Sequence, residues 1–243
     1  MDRRIVTAMG AMLVDAGCLG DLLDSAGDAL FEPQFWAARG ELVAVPAGRG
    51  AAWFVESESH QWVLRHYRRG GFLARLFQDR YLWTGEARVR AFAEYRLLAD
   101  MVGRGLPVPK PIAARYQRTG MTYRCDLIMQ RIADAKPLSA MIGAAALSDA
   151  SWRAIGATIA RLHQDRVDHA DLNAHNILLN RQGCISVIDF DRGRVRDPGA
   201  WTLRNLNRLR RSLVKVSRQL PPDRFPAEAW QCLLSGYESL ERP

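Results

Sequence analysis

Lysine is almost missing from this chain: of 34 basic residues, only Lys110, Lys136 and Lys215 are lysine. A site in the first hundred residues that needs a cation must therefore use arginine. Cysteine is scarce too. Cys18, Cys125, Cys184 and Cys232 are widely scattered with no Cys-x-x-Cys pair, so neither a zinc knuckle nor a disulfide framework is legible, and a reducing compartment fits best. No apolar run reaches the ~18 to 20 residues of a spanning helix, so membrane contact is expected to be peripheral. The start, Met1-Asp2-Arg3-Arg4 and an apolar stretch, imitates an export signal only faintly. The stretch stops at Asp15 and has no small-residue cleavage site. In Asp15-Ala16-Gly17-Cys18, a carboxylate stands where a lipoprotein signal wants an apolar residue, so export is not expected. Internal repeats and low-complexity segments are absent.

What remains is an ordinary soluble composition with one unusual feature. The 243 residues suffice for one large domain or two small lobes with a proper core. The 48% hydrophobic and 25% charged content is typical of globular chains. The net charge of +8 is not. It calls for an anionic partner, whether nucleic acid, a phosphorylated small molecule or an acidic membrane surface.

Along the chain, strands precede helices. Leu42 to Val45, Trp53 to Val55 and Trp62 to Tyr67 read as short strands around turns at Gly48-Arg49-Gly50 and Glu56-Ser57-Glu58-Ser59. Residues 68–87, rich in arginine and aromatics, read as an insertion or mobile loop. Apolar spacing from Arg88 to Val102 is helical. Leu106-Pro107-Val108-Pro109-Lys110-Pro111 must be extended, because each proline disfavours helix in its predecessor. Tyr123 to Gln130 is a strand. Trp152, Ile155, Ile159 and Leu162 form a helix face behind a Ser148 N-cap. Ile177 to Leu179 and Ile185 to Ile188 make a hairpin, and a mostly helical tail follows. This order predicts an α+β protein of two lobes joined near residue 131, a β-rich N-terminal lobe over 1–131 and a helical C-terminal lobe over 132–243.

The chemistry is concentrated in His169-Ala170-Asp171-Leu172-Asn173-Ala174-His175-Asn176 and in Val187-Ile188-Asp189-Phe190-Asp191. The hairpin begins just after Asn176 and ends just before Asp189. In an antiparallel pair the start of one strand lies beside the end of the next, so Asn176 and Asp189 become neighbours at one rim. An amide oxygen and a carboxylate are hard ligands suited to Mg²⁺, which takes few protein ligands and completes its shell with phosphate oxygens. Asp171, upstream on the same loop, can orient a hydroxyl and accept its proton. Capping and solvation of a hairpin would explain each residue singly, but not their joint order. His163, His169 and His175 read as structural.

That order, His-x-Asp-Leu-x-x-x-Asn and then Asp-Phe, resembles the catalytic and metal loops of protein-kinase-like enzymes. Gly48-Arg49-Gly50-Ala51-Ala52-Trp53 resembles a kinase glycine-rich loop with Trp53 in place of the third glycine. Gly48 and Gly50 would let backbone N–H groups approach phosphates, although a plain hairpin turn explains them equally well. A kinase also needs a cation on the next strand. Arg65 is the candidate, with a geometry unlike lysine's. Its carboxylate partner would be Glu94, which shares a helix face with Leu97, Leu98 and Met101 and points inward; the alternative is a surface pair with Arg90.

Together with Trp62-Val63-Leu64-Arg65-His66-Tyr67-Arg68-Arg69-Gly70-Gly71 and Ile188-Asp189-Phe190-Asp191-Arg192-Gly193-Arg194, these strings resemble the bacterial 3-deoxy-D-manno-octulosonic acid (Kdo) kinases, relatives of the lipopolysaccharide core heptose kinases. The resemblance runs from about residue 11 to about residue 200. It implies a two-lobed protein-kinase-like fold that uses ATP and Mg²⁺ to phosphorylate the Kdo 4-hydroxyl on a lipid A precursor at the cytoplasmic face of the inner membrane. Asp171 would be the base, and Asn176 and Asp189 the metal ligands. Asp191 replaces the last glycine of Asp-Phe-Gly, and no Ala-Pro-Glu follows, so a platform for protein substrates is missing. A heptose kinase and an aminoglycoside-type phosphotransferase are the alternatives, with a basic nucleic-acid-binding module as a rival of a different class.

The basic residues then acquire uses. Arg204, Arg208, Arg211 and Lys215 form a cationic stripe, with Leu203, Leu206, Leu213 and Val216 as the apolar side of the same helix. Such a helix suits an anionic membrane surface, or it is the solvated face of an ordinary helix. Arg192, Arg194 and Arg196 would meet acceptor anions, or else pair with Asp189, Asp191 and Asp197. A lipid-linked Kdo acceptor and an anionic membrane are the expected partners; neither nucleic acid nor a protein partner is expected.

Overall fold

The computed structural model describes residues 2–44, 51–57, 59–68, 79–218, 220–221, 225 and 227–241. By internal contacts the chain divides into two compact units, Met1–Ala99 with Lys110–Arg131, and Asp100–Pro109 with Ile132–Pro243. Residues 100–109 thus go with the second unit rather than the first. Arg104 donates to the Asp165 carbonyl at 2.8 Å, and the Val187 N–H donates to the Pro107 carbonyl at 2.9 Å.

The first unit is built on an antiparallel sheet. Its strands are β1 (Asp2–Thr7), β2 (Gly10–Asp15), β3 (Leu42–Ala44), β4 (Ala51–Glu56), β5 (Gln61–His66), β6 (Tyr81–Leu82), β7 (Pro111–Thr119) and β8 (Thr122–Gln130). They lie in the order β1-β2-β7-β8-β5-β4-β3, with β6 also paired to β8. The stretch that faintly imitates an export signal is the β1–β2 hairpin. Its terminal Asp15 accepts the Gly17 N–H at 3.1 Å, capping helix α1 (Ala16–Leu19), and pairs with Lys110 at 2.9 Å. Short helices α2 (Asp21–Ala26) and α3 (Pro33–Ala38) follow. Leu19, Leu23, Leu30, Phe31 and Trp36 bury themselves with Trp62 and Leu64 of β5. Side chains alternate along a strand, so Arg65 faces away from that cluster. Glu94 comes from α4 (Arg90–Gly103).

The second unit contains β9 (Lys136–Pro137), α5 (Leu138–Ala144), α6 (Asp149–Gln164), β10 (Val167–Asp168), β11 (Ile177–Leu179), β12 (Ile185–Val187), β13 (Arg194–Val195), α7 (Trp201–Ser217) and α8 (Ala227–Glu241). Ser148 caps α6, its Oγ accepting the Ser151 N–H at 3.2 Å. Helices α6 and α8 touch backbone to backbone. A Cβ added at Gly156 would lie 1.9 Å from the Leu233 carbonyl oxygen, and one at Gly236 would lie 2.1 Å from that of Arg153. Only glycine permits this approach. Strands β9, β11 and β12 form a small sheet, and β10 pairs with β13. The loop from β10 to β11 carries the catalytic candidates.

Candidate active site

The loop of residues 169–176 is held from both ends. His169 is buried, its Nε2 donates to the Ile188 carbonyl at 2.9 Å, and its ring lies 4.6 Å from that of Phe190. Burial pushes its pKa down, so the ring is neutral and serves as a tether. The Asp171 carbonyl accepts from Asn173 Nδ2 at 2.8 Å and from Asn176 Nδ2 at 3.1 Å. His175 Nδ1 bonds Ser139 Oγ at 2.9 Å, tying the loop to α5. The Asp171 carboxyl is left partly exposed.

The hairpin register is Ile177 opposite Val187, and the Ile188 N–H donates to the Asn176 carbonyl at 2.9 Å. Asn176 and Asp189 therefore flank one rim. Because its Nδ2 is spent on the Asp171 carbonyl, Asn176 has its Oδ1 as the acceptor atom. Asp189 has φ +68°, a left-handed conformation uncommon for residues other than glycine and often found where function dictates backbone. Among the described residues no group of three or more His, Cys, Asp or Glu gathers as a metal cage. One amide oxygen and one carboxylate fit a hard divalent cation that takes its remaining ligands from phosphate and water.

In the first unit, Arg65 donates to Glu94 Oε1 and Oε2 at 3.2 and 3.3 Å. Glu94 is buried, and Arg90 lies over the ring of Tyr81, 4.9 Å from its centroid. The Tyr67 hydroxyl also donates to Glu94 Oε2. Burial, reinforced by the Glu94 charge, drives the Tyr67 pKa well above its usual value, so it stays a donor. Gly48 and Gly50 lie outside the described residues, as do residues 69–78 of the 68–87 segment.

Tyr67 was not legible as a partner of Glu94, and neither was a second set of residues around the loop. Asp168, buried, accepts from Arg196 at 3.0 Å and from Asn205 Nδ2 at 3.0 Å, with Arg194 at 3.6 Å. Arg194 and Arg196 are thus spent on Asp168, and Asp197 pairs with Arg166. The stripe on α7 also changes. Its buried residues are Trp201, Asn205, Leu206, Leu209 and Leu213, while Leu203 is 60% exposed. At 3.6 residues per turn Leu203 stands about 120° round from Leu209, outside the buried arc. Arg208 points at the loop and donates to Asp171 Oδ1. The only sequence signal for this was the spacing of Asn205, Arg208 and Ser212 along one helix face.

The sequence pattern of the Lipopolysaccharide kinase (Kdo/WaaP) family matches residues 33–237. The chain is similar to proteins named 3-deoxy-D-manno-octulosonic acid kinase. The one from Photobacterium profundum is 41% identical over 218 residues, covering 90% of this chain and 92% of the relative. That from Xanthomonas axonopodis pv. citri is 47% identical over 208 residues, or 85% and 81% of the two chains. That from Xylella fastidiosa is 48% identical over 188 residues, or 77% and 75%. A match of this extent shows descent and not local mimicry, and the chain belongs to the lipopolysaccharide kinase (Kdo/WaaP) family.

Proposed function

We propose that this protein is an ATP-dependent kinase that phosphorylates the 4-hydroxyl of Kdo on a lipid A precursor. The observation that carries the reading is the loop bearing Asp171, locked by Asn173 and Asn176 beside the rim that holds Asp189, in a chain whose relatives are named Kdo kinases. The two compact units correspond in this reading to the β-rich and helical lobes of a protein-kinase-like fold.

Each group then has a task. Asp171 orients the acceptor hydroxyl and takes its proton while the hydroxyl oxygen bonds the γ-phosphorus and ADP departs. Arg65, positioned by Glu94, contacts ATP phosphates. Asn176 and Asp189 hold Mg²⁺, which neutralises phosphate charge when bound. Phosphoryl transfer depends mostly on positioning and charge neutralisation, which matches a loop this firmly hydrogen-bonded.

The acceptor is lipid-linked and anionic, so the enzyme works peripherally at the cytoplasmic face of the inner membrane. In support, the described residues contain no helix long and apolar enough to span a bilayer. Helix α7 also exposes a groove of about 600 Å³ lined by Asn207, Arg210, Arg211, Val214, Lys215 and Arg218.

The test is mass spectrometry of Kdo-bearing lipid A precursor incubated with enzyme, ATP and Mg²⁺. A mass gain of one phosphate, mapped to the Kdo 4-position, is expected. Phosphorylation of a heptose-containing core instead, with Kdo untouched, overturns the acceptor assignment.

A further inference from the structure

Helix α7 meets the catalytic loop at three points set by its own pitch. Asn205 Nδ2 donates to Asp168 Oδ1 at 3.0 Å, Arg208 donates to Asp171 Oδ1, and Ser212 Oγ accepts the Ala174 N–H at 3.1 Å. Positions 205, 208 and 212 share a helix face, and their partners 168, 171 and 174 recur every third residue from the end of β10 into the loop. Leu206, Leu209 and Leu213 are buried, so a fixed element delivers these three side chains.

Two of the contacts are structural. Asn205 and Asp168 are both buried, and Ser212 satisfies a loop N–H that would otherwise lack a partner. The middle contact is different. The Arg208 and Asp171 side chains are 48% and 40% exposed, and a pair that open to water contributes little to stability. Burial does not force the guanidinium onto the base. The contact occupies Oδ1 of Asp171, so Oδ2 is the oxygen to which an acceptor hydroxyl can donate. Arginine carries five N–H donors in a planar fork that matches a carboxylate, and one Asp171 oxygen cannot use them all.

We infer that Arg208 is a specificity residue that reads a carboxylate on the acceptor while the neighbouring Asp171 receives the acceptor's hydroxyl. The inference rests on the reading of the acceptor as Kdo, a sugar acid whose carboxylate and reacting hydroxyl belong to one residue. A neutral sugar engages Asp171 but offers the guanidinium only uncharged, weaker acceptors. A sugar acid engages both, and the bidentate contact also fixes the rotation of the ring above the base.

The experiment compares wild type, Arg208→Gln and Arg208→Lys on two acceptors, a Kdo-bearing lipid A precursor and the same precursor with its Kdo carboxyl converted to the carboxamide. Wild type is expected to prefer the carboxylate by about tenfold or more in kcat/KM, the range for a charged hydrogen bond. Arg208→Gln is expected to bring that ratio to within about threefold, and Arg208→Lys to leave an intermediate preference, because a point charge replaces the fork. The ratio is internal to each variant, so partial misfolding cancels. A role confined to holding Asp171 lowers both rates together and leaves the preference intact, which overturns the inference, as does a wild type indifferent to the carboxyl group. Should Arg208→Gln be inactive on both acceptors, the lysine variant decides: a preference reduced severalfold supports the assignment and an unchanged one refutes it. Wild type that phosphorylates neither acceptor on Kdo overturns the acceptor reading, and this inference with it.

Discussion

Arg65 spans the two carboxylate oxygens of Glu94 with a single terminal nitrogen, at 3.2 and 3.3 Å, while the Tyr67 hydroxyl donates to one of the same oxygens. The carboxylate is buried and the Arg65 side chain is 24% exposed, so Glu94 fixes where the cation sits. In the proposed function this anchored cation is the group that contacts ATP phosphates. Arg65→Ala is expected to raise the KM for ATP or cut kcat sharply, and to destabilise by about 1.5 to 3 kcal/mol through lost charged hydrogen bonds. Arg65→Lys restores part of the activity at most. Steady-state kinetics with a thermal melt measure both effects. Normal ATP use by Arg65→Ala would mean that another cation, such as Arg68, has the role.

Asp171→Ala and Asp189→Asn are each expected to lower turnover by about a hundredfold or more in a folded protein, since the reaction depends on a placed base and on neutralised charge. Asparagine is the informative replacement at position 189. Asn and Asp both tolerate the left-handed backbone found there, φ +68°, so the variant removes charge without imposing strain. Circular dichroism would establish folding. Turnover close to wild type in both variants would refute the site.

A third expectation concerns stability and pH. His66 Nδ1 bonds Asp126 Oδ1 at 2.6 Å, its Nε2 lies 3.4 Å from Asp79, and Arg115 holds the other Asp126 oxygen at 2.8 Å. The hydrogen bond to Asp126 raises the His66 pKa above the usual 6.5, against the opposing effect of burial. A pKa raised by folding adds stability that is complete below the unfolded value and is lost as pH climbs through the folded one. The stability advantage of wild type over His66→Gln in urea is therefore expected to be larger near about pH 6 than near about pH 9. An advantage that grows with pH would contradict the assignment.

How much of this was legible in sequence depended on whether a residue's partner was local. The strands carrying Trp62 and Arg65, the helix of Glu94, the Ser148 cap and the Asn176–Asp189 hairpin all follow from short-range periodicity or spacing. The β1–β2 hairpin was hidden because its strands had no assigned neighbour, and β7, on which β2 pairs, was not recognised either. Asp168 with Arg196, and Asp171 with Arg208, are 28 and 37 residues apart, and no pattern within one element predicts such pairs. On α7 the sequence places Leu203 on the apolar side, whereas the buried arc takes in Leu209 and leaves Leu203 exposed.

If α7 docks on an anionic membrane, its contribution comes from exposed side chains other than Arg208, which is engaged with Asp171. The other cations of the stripe, Arg204, Arg211 and Lys215, are exposed, as are Leu203 and Val214 at 60% and 39%. Apolar side chains set among cations suit the headgroup boundary. Each cation near an anionic surface is worth about 1 kcal/mol, so replacing all three by serine is expected to weaken liposome binding by roughly two orders of magnitude. Wild-type binding is also expected to fall as salt shortens the electrostatic reach from about 8 Å at physiological strength to about 3 Å at 1 M. Since none of the three replaced residues is assigned to the catalytic loop, ATP turnover on a detergent-dispersed acceptor is expected to persist in the variant. Co-sedimentation with anionic and zwitterionic vesicles separates the cases. Equal binding to both vesicle types, or a triple variant that sediments like wild type, would remove α7 from the membrane contact.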